Sequence, residues 1–350
     1  MHRLLIFMAL LSSVAAARAQ EPLPSSVRLE GLSMVWQDIN RCSAAAFTIQ
    51  LSYWIEEPVN YREVIGRMNP NPRDLSVRVE EMVEIAQERY GLMGIVRRGG
   101  TLELMKALVA AGFPVLVENS YYEGGNATRD WMSHNRVLMG YDDALGEFYF
   151  FDSLLGNGPD RRGRAFTYED FDRRWLAFNR NYVVLFPPER AATVQLILGD
   201  MWDEEANARF VIEQAQADLI TLTSRMDRAF ALLNLAYGYF HTGQLEAAVA
   251  AVDEALALNA LPWRYFWYEF TALDIYVAAG RYDDVQRIVS STLAGLPGIV
   301  EELYYYAGVA AEAQGDTRRA LNNYRAAVQG NLYYIAATDA LRALEASLSS

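Results

Sequence analysis

Beyond residue 20 this chain carries one cysteine, Cys42, and only two histidines, His134 and His241. A thiol is a useful nucleophile near neutral pH only as its thiolate, and a neighbouring imidazole is a common way to generate one. Cys42 sits in Gln37-Asp-Ile-Asn-Arg-Cys42-Ser-Ala-Ala-Ala-Phe, which reads as the opening of a helix. Unpaired backbone N–H groups and the helix dipole there favour the anion. His134 opens the apolar run His134-Asn-Arg-Val-Leu-Met-Gly140-Tyr-Asp-Asp143, which reads as a strand closing in a turn. If the two meet, the chemistry is attack of sulfur on an acyl carbon. The alternative for Cys42 is a buried small hydrophobe, the common fate of a free cysteine.

Elements that would hold such a pair can be read on both sides of it. Helices are expected over 80–90 and 101–111, the latter with Leu102, Met105, Leu108 and Val109 at helical spacing and Gly112 as its stop. Pro114 to Glu118 reads as a buried strand. Val137 to Gly140 and Glu147 to Phe151 read as two strands joined by the turn Tyr141 to Gly146, and Tyr182 to Phe186 as another. Helices followed by mostly antiparallel strands give an α+β domain, and Pro187-Pro188 marks its end.

From about residue 203 the chain turns alanine-rich. Gly243, Gly280 and Gly315 recur at similar spacing, with small residues at matched places (Ala236 and Ala248; Gly308 and Ala320). The block over 203–346 resembles tetratricopeptide repeats, in which paired helices need small residues where they cross. Such an array presents a groove to a protein or peptide partner. The aromatic cluster Trp263 to Phe270 is expected to be core between repeats, and His241 a turn residue.

Over 30–188 the motifs come in a fixed order. Gln37 precedes Cys42, His134 leads into Gly140-Tyr141-Asp142, and an aromatic strand ends in Asp152-Ser153. This order resembles the peptidase C39-like family, papain-fold relatives of the bacteriocin-leader proteases, and implies a papain-like α+β cysteine peptidase domain ahead of the all-α array. In physical terms His134 would take and return the thiol proton, and Asp152 would hold the imidazole in the needed tautomer. Gln37 would donate to the developing oxyanion with the Cys42 N–H. Asp142 or Asp143 replaces Asp152 if the strand register slips. The family usually has Gly-Pro directly after the cysteine; Ser43-Ala44 stands here, which puts turnover in question.

Residues 1–19 read as a signal peptide: a basic start, an apolar run over 4–11 and Ala17-Arg18-Ala19 before the cleavage point. A periplasmic or extracellular location is expected, with no membrane span after signal removal. The formal net charge of −13 argues against nucleic acid as partner, since that needs a positive face. One cysteine and two histidines leave no Cys/His zinc site, and no cofactor motif is evident. The expected function is hydrolysis of a peptide or protein substrate by Cys42, His134, Asp152 and Gln37. Two alternatives remain, a silent papain-like scaffold and an amidase or acyl transferase on the same residues.

Overall fold

The computed structural model describes residues 22–122 and 130–349. The signal-peptide segment and the Asn126-Ala-Thr128 acceptor pattern lie outside the described residues, as does most of the loop that follows Tyr122. In chain order the N-terminal domain holds β1 (Ser26–Arg28), α1 (Cys42–Leu51), α2 (Tyr61–Met68), α3 (Val79–Tyr90), β2 (Met93–Arg97), α4 (Leu102–Ala110) and β3 (Val115–Tyr122). It continues with β4 (Trp131–Asp142), β5 (Glu147–Asp152), β6 (Arg164–Thr167), α5 (Tyr168–Trp175), β7 (Tyr182–Phe186) and α6 (Ala191–Leu198). The helical region follows as α7 (Glu204–Thr221), α8 (Arg225–His241), α9 (Leu245–Ala257), α10 (Thr271–Ala278), α11 (Tyr282–Ala294), α12 (Glu301–Ala313), α13 (Thr317–Gly330) and α14 (Ile335–Ser349).

The described strands form one antiparallel sheet in the order β2-β7-β3-β4-β5-β6, with β1 on the end of β4. One face carries α1, whose residues after Cys42 are all buried. Ala44, Phe47, Ile49 and Leu51 pack with Val137, Phe151 and Val183. Gln50, fully buried in that apolar layer, donates its Nε2 to the carbonyls of Pro114 (3.0 Å) and Val183 (2.9 Å). That pair of bonds fixes the helix on the sheet, because leaving a buried amide unpaired costs about 1–3 kcal/mol. The opposite face is filled by Phe113, Phe148, Phe150, Phe171 and Trp175.

The strand carrying His134 begins at Trp131, three residues before the expected start. Trp131-Met-Ser has no alternating pattern because its contacts are tertiary. The Trp131 ring is fully buried, stacks on Phe178 at 5.5 Å and meets Phe230, Tyr265 and Tyr268 from the helical region. Much of the aromatic cluster is therefore core between the two domains, not only between helical hairpins. Trp263 stays 46% exposed.

Three helical hairpins, α8–α9, α10–α11 and α12–α13, turn at Gly243, Gly280 and Gly315, each with positive φ. Ala236, Ala248 and Ala320 are fully buried at the crossings, and a Cβ on Gly308 would lie 2.5 Å from the Tyr324 ring. His241 is the last residue of α8, exposed, with its ring tilted against Tyr237 at 4.1 Å. The helical region joins the N-terminal domain through hydrogen bonds as well as apolar contacts. Arg180 pairs with Asp218, Asn234 donates to the Leu176 carbonyl, and Leu75 donates to the carbonyl of Ile299. None of the described helices is long and apolar enough to cross a membrane.

Candidate active site

Cys42 is the first residue of α1, half-buried, with its backbone N–H among the first-turn donors that have no partner inside the helix. The turn before it is tightly held. Asn40 takes a left-handed conformation (φ 57°), and the buried Arg41 guanidinium donates to the carbonyls of Asn40, Pro72 and Asp74, each at 2.9 Å. Ser43 turns its hydroxyl to Asn135 Nδ2 at 3.0 Å, so its side chain packs under β4. The missing glycine after the cysteine is thus accommodated by a polar contact to the strand.

His134 and Asn135 are neighbours on β4. Asn135 Nδ2 lies 3.9 Å from the Cys42 Sγ, and His134 acts on the same thiol, drawing it down. The other side of the imidazole faces a carboxylate, with His134 Nε2 2.8 Å from Asp152 Oδ1. Nδ1 is therefore the ring nitrogen left for sulfur. The β4–β5 register puts Asp152 opposite Arg136, two residues along from His134 and on the same face. Asp142 ends β4 and Asp143 opens the turn: Asp142 Oδ1 accepts from the N–H groups of Ala144 and Leu145, while Asp143 takes Lys106 and the Tyr168 hydroxyl. Of the acidic alternatives, only Asp152 touches the ring.

Asp152 is fully buried and accepts four donors. Its Oδ1 takes His134 and the backbone N–H groups of Leu154 (2.9 Å) and Leu155 (2.8 Å), and Oδ2 takes Arg136 Nε at 2.6 Å. Arg136, 1% exposed, was not marked by the sequence pattern, because an arginine in an apolar strand reads as an outward-facing residue. Its guanidinium also lies 4.5 Å from the Phe166 ring centre.

The electrostatics follow from these contacts. Burial alone would raise the Cys42 thiol, but the hydrogen bond and charge of His134, then the hydrogen bonds of Asn135, bring it down to about 7. Burial pulls the imidazole down, and hydrogen bonds to Asp152 and Cys42 outweigh it, so His134 is raised. Burial likewise opposes ionisation of Asp152, yet His134 and Arg136 hold it well below the usual carboxylate range. Both shifts run toward a thiolate beside an imidazolium, backed by a charged carboxylate.

Gln37 lies in the extended segment before the turn. Its Oε1 accepts the Ser153 hydroxyl at 2.8 Å, and its N–H bonds the Ser153 carbonyl at 3.1 Å. These bonds tie it next to the carboxylate of the triad, and with Oε1 occupied the side-chain N–H₂ remains the group on offer. Of the residues singled out by sequence order, His134 and Asp152 are in direct contact, and Gln37 is bonded to Ser153 next to Asp152. Sequence order did not anticipate Arg136, nor the contacts of Asn135. Among the described residues no three His, Cys, Asp or Glu side chains are grouped to hold a metal ion.

Comparison with known proteins matches residues 26–183 to the model of the Peptidase C39-like family. A solved structure described as a C39-like peptidase from Bacillus anthracis is similar over 46% of this chain and 96% of that one. It shares 14% sequence identity at a TM-score of 0.36. No curated protein matches the chain.

Proposed function

We propose that the N-terminal domain is a cysteine peptidase, as the family match over 26–183 suggests, and that it cleaves peptide bonds by a Cys-His-Asp mechanism. The observation that carries this reading is the His134 ring fixed by Asp152 at 2.8 Å and drawing the Cys42 thiol down to about 7. Cys42 attacks the scissile carbonyl, and the oxyanion is met by the Cys42 N–H and the Gln37 amide. His134 gives its proton to the leaving amine, and water then releases the acyl group with the same imidazole as base. Asp152 and, behind it, Arg136 keep the ring oriented through both steps.

The helical hairpins are read as tetratricopeptide repeats. The glycine turns at 243, 280 and 315 and the small buried residues at the crossings support that reading. Their partner would be a protein or peptide. The features of residues 1–19 support export to the periplasm or the medium. The test of the catalytic reading is incubation with a mixed peptide library, followed by mass spectrometry of the products. Cleavage that is lost in Cys42→Ser is expected; an intact library, or cleavage retained in that variant, overturns it.

A further inference from the structure

A cavity of about 710 Å³ lies between the N-terminal domain and the helical hairpins, within the usual range for ligand pockets. Glu118 and Asn181 line it on the sheet side, and Tyr268 and Glu269 face them from the helical side. Glu118 is the cross-strand partner of Asn135, whose amide touches the Cys42 sulfur. Directly opposed residues in an antiparallel pair put their side chains on the same face. Glu118 is therefore the cavity-lining carboxyl next to the buried Asn135 amide that contacts the nucleophile.

The cavity's arginines, Arg78, Arg97 and Arg98, are ion-paired with Glu80 or Glu204, and Arg98 also acts on Glu269, whereas the Glu118 end is rich in acceptors. Glu118 is 8% exposed and accepts from Ser133 Oγ and from Asn181 Nδ2, leaving about half of a carboxylate's four acceptor sites open. Asn135 is 2% exposed, and its Oδ1 accepts no bond among the described residues. No described Lys, Arg or His is ion-paired to Glu118, and Glu269 and Cys42 add negative charge around it. Burial pushes the Glu118 carboxyl up to about 8, the behaviour of an acid that lacks a cation. The cleavage chemistry described above makes no use of Glu118.

We propose that Glu118 and Glu269 form a recognition site for a primary ammonium group of the substrate, held on the cavity side of Cys42. An ammonium brings three donors and one positive charge, the complement of what this end presents. The inference rests on Cys42 being the nucleophile. Two sources share the chemistry, a lysine side chain and a free amino terminus.

The test compares how fast Cys42 reacts with a cationic aminoethyl methanethiosulfonate and with its neutral methyl counterpart, each scaled to its rate with free cysteine. A preference of about tenfold or more for the cation is expected in the wild-type chain, falling towards one in Glu118→Gln. Equal scaled rates in the wild type, or a preference retained in Glu118→Gln, would overturn the proposal. A second measurement needs no variant: protection of Cys42 from iodoacetamide by added amines. Protection by Nα-acetyl-lysine amide assigns a lysine side chain, and protection by norleucine amide assigns a chain terminus. Protection by neither overturns the site. If Cys42 reacts no faster than free cysteine with the neutral reagent, the catalytic reading fails; rapid but charge-blind reaction sinks only the ammonium site.

Discussion

Replacing Asp152 by asparagine changes one atom and separates two roles. The carboxylate uses both oxygens as acceptors, three donors on Oδ1 and Arg136 on Oδ2. An asparagine there has one acceptor oxygen. If it keeps His134 and the two backbone N–H groups, its N–H₂ confronts Arg136; if it turns to Arg136, it presents a donor to the ring and selects the wrong tautomer. Either way a guanidinium that is 1% exposed loses its counter-charge. Breaking such a pair from one side costs about 3–5 kcal/mol, on the order of 10 °C in Tm. The loss of negative charge behind His134 also lowers the imidazole and releases the thiol upward from about 7. The equivalent change in a serine triad lowers kcat by about 10⁴.

The assay is the rate of iodoacetamide alkylation across pH, which reads one site because Cys42 is the sole cysteine. In Asp152→Asn the midpoint is expected to rise by about one unit or more. The double variant Asp152→Asn with Arg136→Met should recover much of the lost Tm, since it removes the orphaned charge, without restoring the low midpoint. An alkylation profile in Asp152→Asn that overlays the wild type would refute the electrostatic argument, whatever happened to stability.

Other consequences can be measured separately. Gln37→Ala removes one oxyanion donor and should lower kcat/KM by about 10²-fold while leaving the Cys42 alkylation midpoint in place; a shifted midpoint would point instead to a structural role. Trp131→Ala deletes a fully buried ring shared by both domains and should cost about 3–5 kcal/mol in denaturant unfolding. Stability should also fall as pH rises from about 5 to about 8. Burial pushes Asp74 and Glu118 up to about 8 and Glu81 up to about 7, and raises Glu301 and Glu302 as well. Between their unfolded values near 4 and these raised ones, the native state holds protons that the unfolded chain has released, so each unit of pH favours unfolding. A Tm that climbs over this interval would contradict the assignment.

The α+β order of the N-terminal domain was legible because its apolar runs have clear periods and stops. The turn expected over Tyr141 to Gly146 is shorter, 143–146, because Tyr141 and Asp142 pair with β5, and this register brings Asp152 rather than Asp142 to His134. Short or charge-rich elements were not legible. Met93 to Arg97 is an edge strand of five residues with little alternation, and Tyr61 to Met68 hides its two buried positions, Val64 and Met68, among arginine and glutamate. Polar residues that act inside the fold were the hardest class. Arg136, Glu118 and Asn135 look like solvent-facing strand residues until their partners, distant in sequence, are in place. Trp131 and the Trp263 to Phe270 cluster were each visible as aromatic, but their mutual contact depends on how the two domains dock.

The most direct measurement is the labelling rate of Cys42 by a thiol-reactive peptide probe at neutral pH, in the wild-type chain and in His134→Ala. Rapid labelling that collapses in the variant is the predicted result. Slow labelling in both, at the rate of an ordinary thiol, would contradict the account and leave a folded domain without a catalytic centre.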